Sequence, residues 1–205
     1  MHGTLRSVCT FATLFLLALA GPARAADPQP GMLTVAFDFQ GPHSPQAVDA
    51  MEREAAGILK DSGLTLNWRT LDQASGADYA NLVVVRFKGK CILEPIPILY
   101  DERGPLAFTH TADGKLLPFS EVACDQVTAT MRTAMFGGDY ADADQLLGRA
   151  LGRVVAHELV HILTGSSTHG AEGVFEPSLS GRQLIGKKLS LSSPDLERLH
   201  ETQTR

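Results

Sequence analysis

The spacing of hydrophobic residues along the first two thirds of the chain predicts strands. Apolar, β-branched and aromatic residues cluster in short segments bounded by turn-forming residues, the usual pattern of a strand. Residues 82–85 form a continuous apolar run, as expected of a strand inside a sheet. An Asp113-Gly114 turn separates the last two segments, and the proline-containing residues 92–103 are predicted as a loop. The predicted strands are residues 33–39, 64–71, 81–87, 106–111 and 117–123.

Three helices are predicted from three- and four-residue spacing and from capping residues. The first begins at Ser44-Pro45 and ends at Gly63, since proline is common at the first helical position and glycine after the last. The second begins at Asp142 or Asp144 and ends at Gly165. The third begins at Ser193-Pro194 and runs to about Gln203.

Composition limits the class of protein. The chain has 205 residues, of which 44% are hydrophobic and 20% charged, a balance that excludes a disordered or fibrous protein. The net charge is −5 and the sequence contains no basic run, so nucleic-acid binding is not expected.

The N-terminal 25 residues have the three parts of a secretory signal peptide. Arg6 precedes the apolar residues 10–20, and Ala23-Arg24-Ala25 is a small-x-small cleavage site. An uncleaved buried helix is the alternative. The signal peptide predicts an exported protein, periplasmic or extracellular, with no membrane anchor after cleavage and a single catalytic domain over residues 26–205.

Two cysteines remain after signal cleavage, Cys91 and Cys124. In an exported protein the natural interpretation is a disulfide between them. Two free thiols, or a cysteine that blocks a metal site, are the alternatives.

The second predicted helix carries the sequence His157-Glu158-Leu159-Val160-His161. Histidines four residues apart lie on one helical face, where both imidazoles can bind one zinc ion. Glu158 projects beside that metal and can take a proton from a zinc-activated water. The same pattern can occur by chance on an ordinary helix, but here an apolar helix, a glycine and a further histidine accompany it.

A catalytic zinc site needs a third protein ligand. Gly165 permits a sharp turn after the helix, which lets His169 return over the same face. His169 is therefore the predicted third ligand of a single Zn²⁺ ion, and Glu172 and Glu176 are the alternatives.

Residues 157–169 resemble the zinc motif of the metzincin peptidases, most closely the small bacterial matrixin-like members. Residues 104–108 are similar to the edge strand that matrixins place above the cleft, and residues 173–175 correspond to the methionine turn. The resemblance implies an α+β fold: a twisted mixed sheet of about five strands, a backing helix, an active-site helix and a C-terminal helix.

The chain departs from the usual metzincin pattern in two ways. Gly165 and His169 lie four and eight positions after His161, whereas the family has three and six. No methionine follows Met135, so Phe175 is the candidate for the apolar floor beneath the metal.

These observations predict a secreted or periplasmic zinc endopeptidase with Glu158 as general base and a peptide or protein as substrate. Two alternatives stay open: a non-catalytic, zinc-stabilised module that binds peptides, and a zinc-dependent amidase that acts on the cell wall.

Overall fold

The computed structural model describes residues 31–94 and 104–203, so the predicted signal peptide and most of the predicted loop at 92–103 lie outside the described residues. Within these two ranges, five strands form one sheet with the order β2-β1-β3-β5-β4. All neighbouring strands are parallel except β4, which is antiparallel to β5. The predicted mixed sheet is confirmed. The strands are β1 (Met32–Phe39), β2 (Thr65–Thr70), β3 (Leu82–Lys88), β4 (Ala107–Ala112) and β5 (Lys115–Ala123).

Six α-helices accompany the sheet in the described part of the chain. The first, fourth and sixth are the three that the sequence predicts. The other three are short or directly follow a strand, so the sequence shows no separate helical spacing of apolar residues for them. The helices are α1 (Pro45–Leu59), α2 (Leu71–Ala74), α3 (Cys124–Arg132), α4 (Ala143–Thr164), α5 (Gly181–Ile185) and α6 (Ser193–Gln203). In the part of the chain that the structure describes, no helix combines the length and the apolar character needed to cross a membrane.

Helix α4 lies at the centre of the molecule because it is apolar on nearly all sides, and Leu151, Val155 and Leu159 are fully or almost fully buried. It ends at Gly165, whose left-handed conformation (φ 60°) turns the chain sharply after the helix. Helix α1 packs closely along it. The sheet and these two helices enclose one hydrophobic core.

The sheet presents one polar pair to α4. Ser120 on β5 is the register partner of Val85 on β3 and of Thr109 on β4, and partners in adjacent strands point to the same face. Val85 and Ser120 are fully buried, so this is the core face of the sheet. Two hydroxyl groups are therefore held against α4 at the β4 edge.

Cys91 and Cys124 are joined by a disulfide, with their Cα atoms 4.9 Å apart. This is the pairing expected from the sequence. Both residues are buried, and the bond ties the chain just after β3 to the first residue of α3.

Candidate metal centre

Three imidazoles converge at the C-terminal end of α4. His157 and His161 are one turn apart on the helix, and their Nε2 atoms lie 3.1 Å from each other. His169 comes back over the same face after the turn at Gly165, and its Nε2 lies 3.2 Å from Nε2 of His161. The structure thus brings together the three histidines that the sequence predicts as metal ligands.

The hydrogen bonds of the outer ring nitrogens fix the tautomers of two of these histidines. Nδ1 of His157 donates to the carbonyl oxygen of Val174 (2.9 Å), and Nδ1 of His161 donates to that of Ser166 (2.7 Å). In the neutral rings, Nε2 then carries a lone pair and no hydrogen. Burial favours this neutral form, since it lowers the pKa of His157 to about 4 and also lowers the pKa of His161.

This arrangement fits a zinc ion. Two Nε2 lone pairs that face each other at 3.1 Å repel, because neither nitrogen has a hydrogen to donate. A cation between them removes that repulsion. In a tetrahedral zinc site with Zn–N bonds of about 2.0–2.1 Å, the ligand nitrogens lie about 3.3–3.4 Å apart, close to the spacing seen here.

Phe175 forms the floor of the cluster, the place for which the sequence made it the candidate. It is fully buried in a short 3₁₀ turn, Gly173–Phe175. The centre of its ring lies 5.3, 4.7 and 5.6 Å from the ring centres of His157, His161 and His169. A rigid aromatic ring thus packs against all three imidazoles.

Glu158 lies on the same turn of α4 and is 4% exposed. Its Oε2 accepts a hydrogen bond from Thr109 Oγ1 at 2.7 Å, and Thr109 Oγ1 is 2.7 Å from Ser120 Oγ. Burial raises the pKa of Glu158 to about 7, although the hydroxyls of Thr109 and Ser120 act in the opposite direction. A carboxyl group with such a pKa can accept and release a proton near neutral pH.

Thr109 and Ser120 carry no sequence signal that marks them as site residues. Each has one aromatic and one ionisable neighbour, so the pattern does not show which face of the sheet meets α4. The strand register and the packing of the sheet on the helix bring them to Glu158.

The two glutamates considered as alternative ligands, Glu172 and Glu176, lie outside the histidine cluster. Glu176 accepts hydrogen bonds from the Gly173 backbone (3.1 Å) and from Gln183 Nε2 (3.0 Å). Among the described residues, neither it nor Glu172 joins the group of potential metal ligands. Of the remaining histidines, His110 pairs with Glu121 at 3.2 Å and His43 stacks on Phe39.

A cleft of about 520 Å³ opens over the three histidines and Glu158. One wall is strand β4 with the residues before it, and the other is α4 with the loop after the metal ligands. Glu158 is the only lining residue with an acidic or basic side chain in the part of the chain that the structure describes, apart from the histidines. Apolar lining residues include Leu106, Val154, Pro177 and Leu179.

No family model and no curated protein matches this chain. Among solved structures, the chain is similar to archaemetzincin from Methanopyrus kandleri, with a TM-score of 0.53 and 14% sequence identity. The match covers 88% of this chain and 100% of that chain. At this identity the likeness concerns the fold. The fold is therefore metzincin-like, as the resemblance of residues 157–169 implied.

Proposed function

We propose that this protein is a zinc-dependent endopeptidase. The observation that carries the proposal is the convergence of three Nε2 atoms beside a buried glutamate, within a cleft bordered by the edge of a sheet. The metzincin-like fold supports the same class of activity.

His157, His161 and His169 would hold one zinc ion, which supplies a Lewis acid that activates water and polarises a carbonyl group. Glu158 would take a proton from the attacking water and then deliver it to the leaving amine. Its raised pKa suits both steps, because neither protonation state is strongly disfavoured near neutral pH.

The position of strand β4 is evidence for an extended peptide as the substrate. Among the described strands it is the last in the sheet order, and it lines the cleft, so a substrate backbone can pair with its outer edge. The apolar, mostly uncharged lining favours an uncharged side chain beside the scissile bond. We further propose that the protein is exported and that it resembles the matrixin-like metzincins, as residues 1–25 and 157–169 suggest.

The general-base role is tested by Glu158→Gln. The variant should keep its zinc and lose at least about 99% of the turnover, because the ligands remain and the proton acceptor does not. Metal analysis of the purified protein is combined with cleavage of an unstructured protein. Full activity in Glu158→Gln would remove the general-base assignment.

The ligand set is tested by alanine substitutions with matched controls in the same loop. His157→Ala, His161→Ala and His169→Ala should each weaken zinc binding and abolish activity. Glu172→Ala and Glu176→Ala should retain the metal. If either glutamate variant loses zinc and His169→Ala retains it, the assignment of His169 as third ligand is wrong.

The same experiments separate the two other candidate functions. A zinc-stabilised binding module would bind peptides but cleave none, and Glu158→Gln would change nothing. A cell-wall amidase would release fragments from peptidoglycan and leave unstructured proteins intact.

A further inference from the structure

The carboxylate of Glu158 is held by a side chain of the sheet. Thr109 Oγ1 on β4 donates to Oε2 of Glu158 at 2.7 Å, and Ser120 Oγ on β5 lies 2.7 Å behind it. Ser120 is fully buried and Glu158 nearly so. The carboxylate is therefore shielded from water, while Thr109 itself is half-buried and lines the cleft.

The hydrogens of this cluster have a definite order when Glu158 is ionised. A carboxylate only accepts, and the Thr109 hydroxyl has a single hydrogen, which it gives to Glu158. The Ser120 hydroxyl then donates toward this pair, to Thr109 Oγ1 or to the carboxylate itself.

The backbone of β4 is irregular next to this contact. The β4–β5 register is continuous from Ala107 to Thr109 and shifts between Thr109 and Thr111. Such bulges re-aim side chains beside functional sites. Thr109 is therefore the last residue of the regular segment, on the strand that borders the cleft.

We infer that Thr109, supported by Ser120, is the positioning residue for Glu158. The inference rests on the proposed peptidase function. The hydroxyl fixes the carboxylate relative to β4, the strand along which the substrate would lie. Strand β4 then fixes the positions of both the proton acceptor and the substrate, whereas α4 and the loop after it fix the positions of the zinc ligands.

The first test compares Thr109→Val, which keeps the shape of the side chain and removes the hydroxyl, with Thr109→Ser, which keeps the hydroxyl. Thr109→Val should lower kcat about 10- to 100-fold with KM and zinc content unchanged. Thr109→Ser should restore most of kcat. Thr65→Val, on β2 at the opposite edge of the sheet, is the matched control and should keep wild-type kcat. Wild-type kcat in Thr109→Val, or no recovery in Thr109→Ser, would overturn the inference.

The second test does not depend on activity. In metal-free protein, the urea midpoint is measured for Thr109→Val in the wild type and in the Glu158→Ala background. Because Thr109 and Glu158 are partners, Thr109→Val should lower the midpoint clearly in the wild type and much less in Glu158→Ala. Equal shifts in both backgrounds would overturn the inference. If the wild type cleaves no peptide, the proposed function fails, and this cycle still decides whether Thr109 holds Glu158.

Discussion

Burial acts in opposite directions on the two kinds of ionisable side chain at the candidate metal centre. It raises the pKa of Glu158 to about 7 and lowers that of His157 to about 4. The common cause is the cost of keeping a charge in a poorly solvated place, a cost that favours the protonated form of an acid and the deprotonated form of a base. In the metal-free protein both groups are therefore largely uncharged just below neutral pH.

The raised pKa of Glu158 predicts how the stability of the metal-free protein depends on pH. The folded protein holds this proton up to about pH 7, whereas the unfolded chain releases it near 4.5. The resulting stabilisation is fully present below pH 4.5 and is lost as the pH rises through 7. Glu158→Gln lacks this titration. Between pH 4.5 and 8, the unfolding free energy of the wild type should fall relative to that of Glu158→Gln by up to about 3 kcal/mol.

Urea unfolding of both metal-free proteins across this range measures the difference. His157 contributes with the opposite sign, because its lowered pKa reduces stability as the pH falls, but it is present in both proteins. A difference that stays constant with pH would contradict the prediction.

At the scale of elements, the close contact of α1 with α4 depends on small residues. A Cβ atom on Gly152 would lie 2.7 Å from the carbonyl oxygen of Met51 and 2.8 Å from the Cβ of Glu54. Gly148 meets α1 in the same way, one turn earlier, at Ala47 and Ala50. Glycine is unfavourable inside a helix, and its presence here lets the two backbones approach.

Two glycine-to-alanine substitutions in these helices should have opposite effects. Gly152→Ala should lower the free energy of unfolding by about 1–3 kcal/mol, because the added methyl group overpacks the helix contact. Gly57→Ala, in α1, meets no atom within 4 Å and should raise it by up to about 1 kcal/mol. Urea unfolding of both variants checks the pair. Stabilisation by Gly152→Ala would show that α1 and α4 are packed less closely than these distances indicate.

A second contact between elements involves Arg153, which is fully buried on α4. Its Nε donates to Glu54 on α1 at 2.7 Å, and its two terminal nitrogens donate to the carbonyl oxygens of Gln183 and Gly186 at the end of α5. Burial lowers the pKa of the Arg153 guanidinium, while Glu54 acts in the opposite direction. One side chain thus fixes both α1 and the segment after the three histidines to α4.

For the whole molecule, the Cys91–Cys124 disulfide closes a long segment that contains β4 and β5. Cross-linking a loop of this length stabilises a protein by about 3–4 kcal/mol on the chain-entropy model. Reduction should therefore lower the free energy of unfolding by about that amount. Urea unfolding with and without reductant measures it, and the Cys91→Ala/Cys124→Ala double variant should not respond to reductant. Equal stability of the oxidised and reduced wild type would contradict the prediction.

The features that could be predicted from the sequence are local in origin. Helical periodicity places His157 and His161 on one face of α4, and alternation together with turn residues predicts the five strands. The left-handed turn at Gly165 was also predictable, because glycine adopts that conformation without steric cost. These features depend on residues within a few positions of one another.

How distant strands and helices meet depends on the folded chain as a whole. The strand register brings Thr109 and Ser120 to Glu158. The buried position of Arg153 follows from the carbonyl groups that α5 presents to it. No local pattern encodes these contacts, because each depends on the packing of residues far apart in the chain, and that packing is settled by burial of the core as a whole.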